Sequence, residues 1–309
     1  MKEIKNILIC GAGMMGKNIG YVFASNPSFQ VGMYDLYPTD VEAGIRTNTR
    51  QLLDKGVITE QELSDRLSRI SFTNDIDSDL VKNADLVIEA VFEDMKIKRE
   101  TFAKLEARCR PDTIFCTNSS VMSPSEISAE LKHRERFVGT HFWNPGHLIP
   151  LVEVVKSDAS SDEVAQTVME VLRSVGKKPV LCKKDVPGFI ANRMQHALWR
   201  EAISIVENGI ADAATVDKAV RYSFGLRLPQ LGPMENADMV GTDLTYNIHD
   251  YILKDLEDSH EPSPLLTRLR DEGKLGFKTG EGFQTWTPQQ IEQSKEALND
   301  YLVDMLYGK

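Results

Sequence analysis

Short apolar runs alternate with amphipathic stretches through the first half of the chain. NILICGAG, FQVGMYD, ADLVIEAV, DTIFCTN and RFVGTHF have the length and the Ile, Val and Phe content of strands. Between them, residues 17–25 and 96–107 carry the spacing of helices packed on one face. Strand and helix in alternation predict βαβ units and a parallel sheet. One insertion breaks the rhythm after the second strand. Residues 40–70 hold two helical patterns around GVITEQEL, with Thr59 placed as an N-cap and Gln61 or Glu62 able to support it. The segment reads as a helical hairpin projecting from the sheet.

After Asp185 the texture changes. DVPGFIANRMQHALWREAISIVENG has apolar residues at Ile190, Met194, Ala197, Leu198, Ala202 and Ile205, a helical spacing that ends at an Asn208-Gly209 C-cap. Further helical patterns cover residues 214–222, 236–255 and 288–306, and strand signals nearly vanish. The expected architecture is an α/β domain over residues 1–184, carrying the helical hairpin insertion, and an all-α domain over residues 185–309.

Composition narrows the class. The chain has 309 residues, 41% hydrophobic and 27% charged, as in ordinary globular proteins. No apolar run reaches the ~18–20 residues of a membrane span. The N-terminal MKEIKNILICGAG begins like a signal peptide but runs straight into a glycine-rich turn with no small-residue cleavage site, so it reads as a first strand. Cys10, Cys109, Cys116 and Cys182 are scattered without metal-ligand spacing, which points to a cytoplasmic protein with neither metal site nor disulfides. A net charge of −10 argues against nucleic acid or an anionic membrane as partner. A small-molecule ligand at a local basic site stays open.

The first motif is GAGMMG, with Gly11, Gly13 and Gly16 between an apolar strand and a helix. Gly11 permits the tight turn, Gly13 lets backbone approach a pyrophosphate, and Gly16 lets helix and strand pack closely. The second strand ends in Asp35, placed for the ribose hydroxyls of an adenosine. An acid there repels a 2′-phosphate, which favours NAD over NADP. The plain alternative is a turn and a surface aspartate. Glu93 and Lys98 in VFEDMKIK sit just past another strand end, where ligands of open α/β sheets collect, although an exposed helix start would look the same. CTNSSVMSPSEI repeats the arrangement with Ser119 and Ser120, and there Ser123 or Ser125 fits the helix N-cap better than Ser119.

The run HFWNPGHLIPLVEVV places His141 at a strand end, because the following Asn-Pro cannot continue a ladder. Glu153 lies among apolar residues and needs a partner if buried. A His141–Glu153 pair would orient one ring nitrogen and leave the other as a general base. The alternative puts Glu153 on an edge strand facing solvent and His141 in packing. Asn192 in PGFIANRM starts the first helix of the second domain, as an amide donor to a substrate oxygen or as a cap. His133, His196, His249 and His260 read as structural or exposed. His147 is close to the site and is left between pocket lining and packing.

Taken in order, GAGMMG, DLVIEAVFEDMKIK, TNSSV, HFWNP with LVEVV, DVPGFIANRM, GPMENADMVGTDLT and GKLGFKTGEGF strongly resemble the L-3-hydroxyacyl-CoA dehydrogenase family over almost the whole chain. The resemblance implies a Rossmann-like, mostly parallel NAD domain and a helical domain that pairs with its twin in a homodimer. It implies an enzyme of fatty acid metabolism in which His141 is the catalytic base and Glu153 its partner. It also implies that Ser119 and Asn192 hold the reacting oxygen, and that Glu93, Lys98, Asn144 and Lys278 lie near NAD. No metal is required, because His141, Ser119 and Asn192 can supply polarisation.

Two departures bear on the substrate. The hairpin insertion is not strongly basic, whereas acyl-CoA members usually carry lysines there to meet the CoA phosphates. FGLRLPQLGP carries Arg227, as do the lambda-crystallin (L-gulonate 3-dehydrogenase) and carnitine dehydrogenase branches that the chain is also similar to here. Arg227 can grip a free carboxylate, or pair with an acid such as Glu235. The expectation is an L-3-hydroxyacyl-CoA substrate, with a small free 3-hydroxy acid as the second reading. A non-catalytic NAD-binding protein is the third, and the complete set of Ser119, His141, Glu153 and Asn192 argues against it.

Overall fold

A computed structural model describes residues 3–308. Eight strands form one sheet: β1 (Asn6–Cys10), β2 (Gln30–Tyr34), β3 (Ile70–Thr73), β4 (Leu86–Glu89), β5 (Ile114–Thr117), β6 (Phe137–Phe142), β7 (Leu151–Lys156) and β8 (Lys178–Cys182). Their order is β3-β2-β1-β4-β5-β6-β7-β8, parallel throughout except for the antiparallel β6–β7 pair. The first six strands follow the doubly wound dinucleotide-binding order, whose ligand crevice opens where the order reverses, between β1 and β4.

Seven helices accompany the sheet: α1 (Met14–Phe23), α2 (Val41–Asp54), α3 (Glu60–Leu67), α4 (Asp79–Lys82), α5 (Met95–Glu106), α6 (Pro124–Ile127) and α7 (Asp162–Ser174). The insertion is the expected hairpin of α2 and α3. Asp40 caps α2, and Thr59 starts α3 with a capping box in which Glu62 returns a bond to the Thr59 amide. The central strands are buried on both faces, with Ile7, Ile9, Val31, Met33, Ile88 and Val154 in one apolar cluster and Leu8, Val87, Phe102 and Phe115 in another. Such double burial explains their near-continuous apolar sequences.

The remaining helices are α8 (Ala191–Glu207), α9 (Ala213–Arg221), α10 (Pro233–Val240), α11 (Thr242–Ile252), α12 (Pro264–Asp271) and α13 (Pro288–Tyr307). Gly209, at φ 67°, follows α8 as the expected C-cap. The single helical stretch expected over residues 236–255 is instead two helices, because Gly241 adopts φ 102° and interrupts the ladder. Packing divides the chain into one unit of residues 1–191 with 298–309, and another of residues 192–297. This differs from a simple division at residue 185. The chain end joins the first unit because Val303 is fully buried in the sheet domain's core and Lys55 pairs with Asp300 and Asp304. Among the described residues, no helix is long and apolar enough to cross a membrane.

Candidate active site

The glycine turn has the geometry its sequence requires. Gly11 adopts φ 106°, and a Cβ there would lie 2.6 Å from the Ala90 carbonyl oxygen. A Cβ on Gly16 would lie 1.8 Å from the Gly11 carbonyl oxygen. At Gly13 a Cβ would meet nothing within 4 Å, so the backbone is open at the start of α1. That opening, before a ten-residue helix with its first amides pointing out, fits the pyrophosphate of a dinucleotide. Asp35 stands beside it: its carboxylate accepts from the Ala12 amide at 2.7 Å and the Tyr37 amide at 3.1 Å. It therefore braces the turn.

A chain of charges runs across the neighbouring strand ends. Glu89, at the end of β4, is fully buried and accepts from Val91 N–H, from Lys98 Nζ at 2.7 Å and from Thr117 Oγ1. Lys98 is 1% exposed, and its ammonium bridges Glu89 to Glu93 Oε2 at 3.1 Å. Glu93 Oε1 accepts from the Ser119 hydroxyl and the Ser120 amide. Burial raises the Glu89 carboxyl, and the donors around it offset only part of the shift. At Glu93 burial also raises the carboxyl, but the Ser119 bond and Lys98 outweigh it, leaving a net lowering. Glu89 is the residue the sequence reading missed. Its signal was available, because a glutamate inside DLVIEAV poses the same question as the one inside PLVEVV.

His141 and Glu153 are directly opposed in the β6–β7 register, and His141 Nδ1 lies 2.8 Å from Glu153 Oε2. Glu153 is fully buried on an interior strand, so the solvent-facing edge alternative does not hold. Its other oxygen accepts from the Ile190 and Ala191 amides at 2.9 and 3.0 Å, and Trp143 Nε1 adds a longer bond to Oε2. Burial pushes this carboxyl up, yet the bond from His141 and the two amides hold it below its ordinary value. The amides reach Glu153 through a strained turn: Phe189 is buried in the left-handed region at φ 49°, against the His141 ring.

Register relates the two clusters. Thr117 pairs with Gly139 across β5 and β6, and Ser119 and His141 each follow two residues later, at the same end of adjacent strands. Asn118 Oδ1 ties the strands further by accepting from Phe142 N–H. Asn144 is exposed in the loop after β6. His147 lines a separate cavity of about 470 Å³ with Tyr21, Lys177 and Tyr307, where burial lowers its pKa to about 4. Asn192, Arg227 and Lys278 belong to the second compact unit: Asn192 is buried early in α8, and Arg227 and Lys278 are exposed. Among the described residues Arg227 forms no ion pair, so the pairing with Glu235 is not formed.

Comparison with known proteins agrees with this geometry. The sequence profile of the 3-hydroxyacyl-CoA dehydrogenase NAD binding domain matches residues 6–186, and that of the C-terminal domain matches residues 188–286. A probable 3-hydroxybutyryl-CoA dehydrogenase of Bacillus subtilis is 37% identical over 285 residues, covering 91% of this chain and 97% of the relative. A 5-formyl-3-hydroxy-2-methylpyridine 4-carboxylate 5-dehydrogenase of Mesorhizobium japonicum is 34% identical over 294 residues, covering 94% and 93%. A crystal structure of a dehydrogenase of that pyridine carboxylate, an NAD+-dependent dismutase, superposes with a TM-score of 0.89 at 32% identity over 97% of each chain.

A doubly wound sheet with an open glycine turn, joined to these matches, makes the chain an NAD-dependent oxidoreductase. It belongs to the 3-hydroxyacyl-CoA dehydrogenase family.

Proposed function

We propose that the chain interconverts an L-3-hydroxyacyl-CoA and the corresponding 3-ketoacyl-CoA, with His141 as the general base. The observation that carries this reading is the buried His141–Glu153 pair on β6 and β7, with His141 at the end of β6 that lies on the same edge of the sheet as the glycine turn after β1. When bound, NAD supplies the acceptor for the hydride that leaves C3 of the substrate. Glu153 accepts from Nδ1–H, which fixes the tautomer and leaves Nε2 with the lone pair that takes the 3-hydroxyl proton. The Glu153 carboxyl, held below its ordinary value, stays ionised and stabilises the imidazolium without taking its proton. In the reverse direction the imidazolium returns that proton to the 3-oxygen. Ser119 and Asn192 hold the reacting oxygen, and Gly11, Gly13, Gly16, Asp35, Glu93, Lys98, Asn144 and Lys278 form the cofactor side, Lys98 acting through Glu93.

The active form is a homodimer through the helical unit. Large exposed apolar side chains there, including Trp199, Met234, Tyr246 and Tyr251, support that assembly. Four free cysteines support a reducing, cytoplasmic setting.

A second reading has a specific observation in its favour. Arg227 is exposed without an ion pair, and one of the similar proteins acts on a pyridine carboxylate. On this reading the guanidinium binds the carboxylate of a small free hydroxy acid. NADH absorbance separates the two. Acetoacetyl-CoA is expected to oxidise NADH, and free 3-hydroxybutyrate, carnitine and L-gulonate are expected to leave NAD unreduced. Absence of thioester turnover would overturn the main reading, and normal thioester turnover by Arg227→Ala would remove the support for the second.

A further inference from the structure

We infer that Glu89, Lys98 and Glu93 form a fixed anionic cluster that shifts the relative affinity of the site toward oxidised NAD+ and away from NADH. The inference rests on the proposed placement of Glu93 on the cofactor side.

The charge count comes from hydrogen bonding. Glu89 accepts from a backbone amide, an ammonium and a threonine hydroxyl, and Thr117 Oγ1 in turn accepts from Ser119 N–H at 3.3 Å. Thr117 thus has its proton to give to Glu89. Glu93 accepts from an ammonium, a serine hydroxyl and a backbone amide. Among the described residues, every hydrogen-bond partner of the two carboxylates is a donor, an arrangement that suits two ionised groups. Among the described residues, Lys98 is the one cation that pairs with either of them. Two carboxylates against one ammonium leave one uncompensated negative charge. Glu89 and Lys98 are enclosed at 0% and 1% exposure, so bulk water screens that pair little, while Glu93 is 37% exposed and presents its charge at the surface of the strand ends.

The location gives that charge a target. Asp35 follows β2 directly, on one side of the glycine turn, where the adenosine half of a dinucleotide would lie. The other half must then extend across the turn toward the ends of β4, β5 and β6. Glu89 ends β4, Thr117 ends β5, and Glu93 lies over Ser119, which follows β5. The nicotinamide ring is cationic when oxidised and neutral when reduced. A fixed negative charge on this side therefore favours binding of the oxidised cofactor over the reduced one. Glu93 is a cofactor-side residue here, and Glu89 is a positioning residue that adds its charge without contact.

The test measures dissociation constants for NAD+ and NADH by calorimetry on the full chain without substrate. In Glu93→Gln the ratio Kd(NADH)/Kd(NAD+) is expected to fall roughly fivefold or more, and in Glu89→Gln by roughly twofold or more. Glu93→Asp keeps the charge and should keep most of the ratio, which guards against a Glu89 variant that fails to fold. Asp35→Asn should weaken both forms alike. If Glu93→Gln weakens NAD+ and NADH equally, the charge effect is overturned while the cofactor-side reading survives. If Glu93→Gln changes neither affinity, Glu93 does not face the cofactor and both fail.

Discussion

His141 and Glu153 occupy directly opposed positions of the antiparallel β6–β7 pair, and Nδ1 meets Oε2 at 2.8 Å. Opposed residues of an antiparallel pair project from the same face, so this register alone brings ring and carboxylate together. It requires the chain to reverse after Asn144-Pro145, which lies between the two strands. The two amides on Glu153 Oε1 then leave Oε2 for the imidazole and the more distant Trp143.

Glu153→Gln keeps the size of the side chain and can keep its carbonyl oxygen against Ile190 and Ala191 N–H. Its amide nitrogen then faces Nδ1 and imposes the opposite tautomer on His141. Turnover is expected to fall by ~10²-fold or more with little change in NAD affinity. A near-wild-type kcat would show that the carboxylate does not govern the ring.

Glu153 also links stability to pH. Its carboxyl titrates below the ordinary value of 4.5 when folded. A depressed carboxyl contributes stability above its unfolded pKa and loses it as pH falls through the folded value. Melting temperature should therefore drop between about pH 5 and pH 3, and drop less steeply in Glu153→Gln. Parallel curves for the two proteins would contradict the assignment.

The three glycines of the turn separate into packing and binding roles. Gly16→Ala drives a Cβ to 1.8 Å from the Gly11 carbonyl oxygen. It should cost ~3 kcal/mol or more of stability. Gly13→Ala meets no protein atom within 4 Å and should melt like the wild type. It should nevertheless raise the NAD dissociation constant by ~10-fold, because the added methyl occupies space that the pyrophosphate needs. Calorimetry on both variants, with melting curves, checks the division, and equal stability losses would refute it.

Much of this was legible in the chain. GAGMMG and Asp35 follow from backbone sterics and strand spacing, and the need of a buried Glu153 for a partner raised the pairing with His141 beside the alternative of a solvent-facing Glu153, which the register of β6 and β7 decides. The hairpin was marked by Thr59 and its capping partner. Other parts lacked a one-dimensional signal. β3 is four residues long and half exposed, so ISFT shows neither a full apolar run nor alternation. β8 starts Lys-Pro and is covered unevenly. The return of residues 298–309 to the sheet domain depends on long-range contacts of Val303 and Lys55, which no local pattern encodes. Glu89 was hidden by its own apolar neighbours, because its partner Lys98 sits nine residues on, in what reads as a surface helix.

The proposed transfer of the substrate proton to His141 is tested most directly by one pair of measurements on His141→Ala. Steady-state oxidation of NADH by acetoacetyl-CoA should be slowed by at least ~10²-fold. NAD binding, measured by calorimetry on the same sample, should stay within about twofold of wild type, because no glycine-turn contact is lost. Turnover near the wild-type rate, with NAD bound normally, would contradict the account.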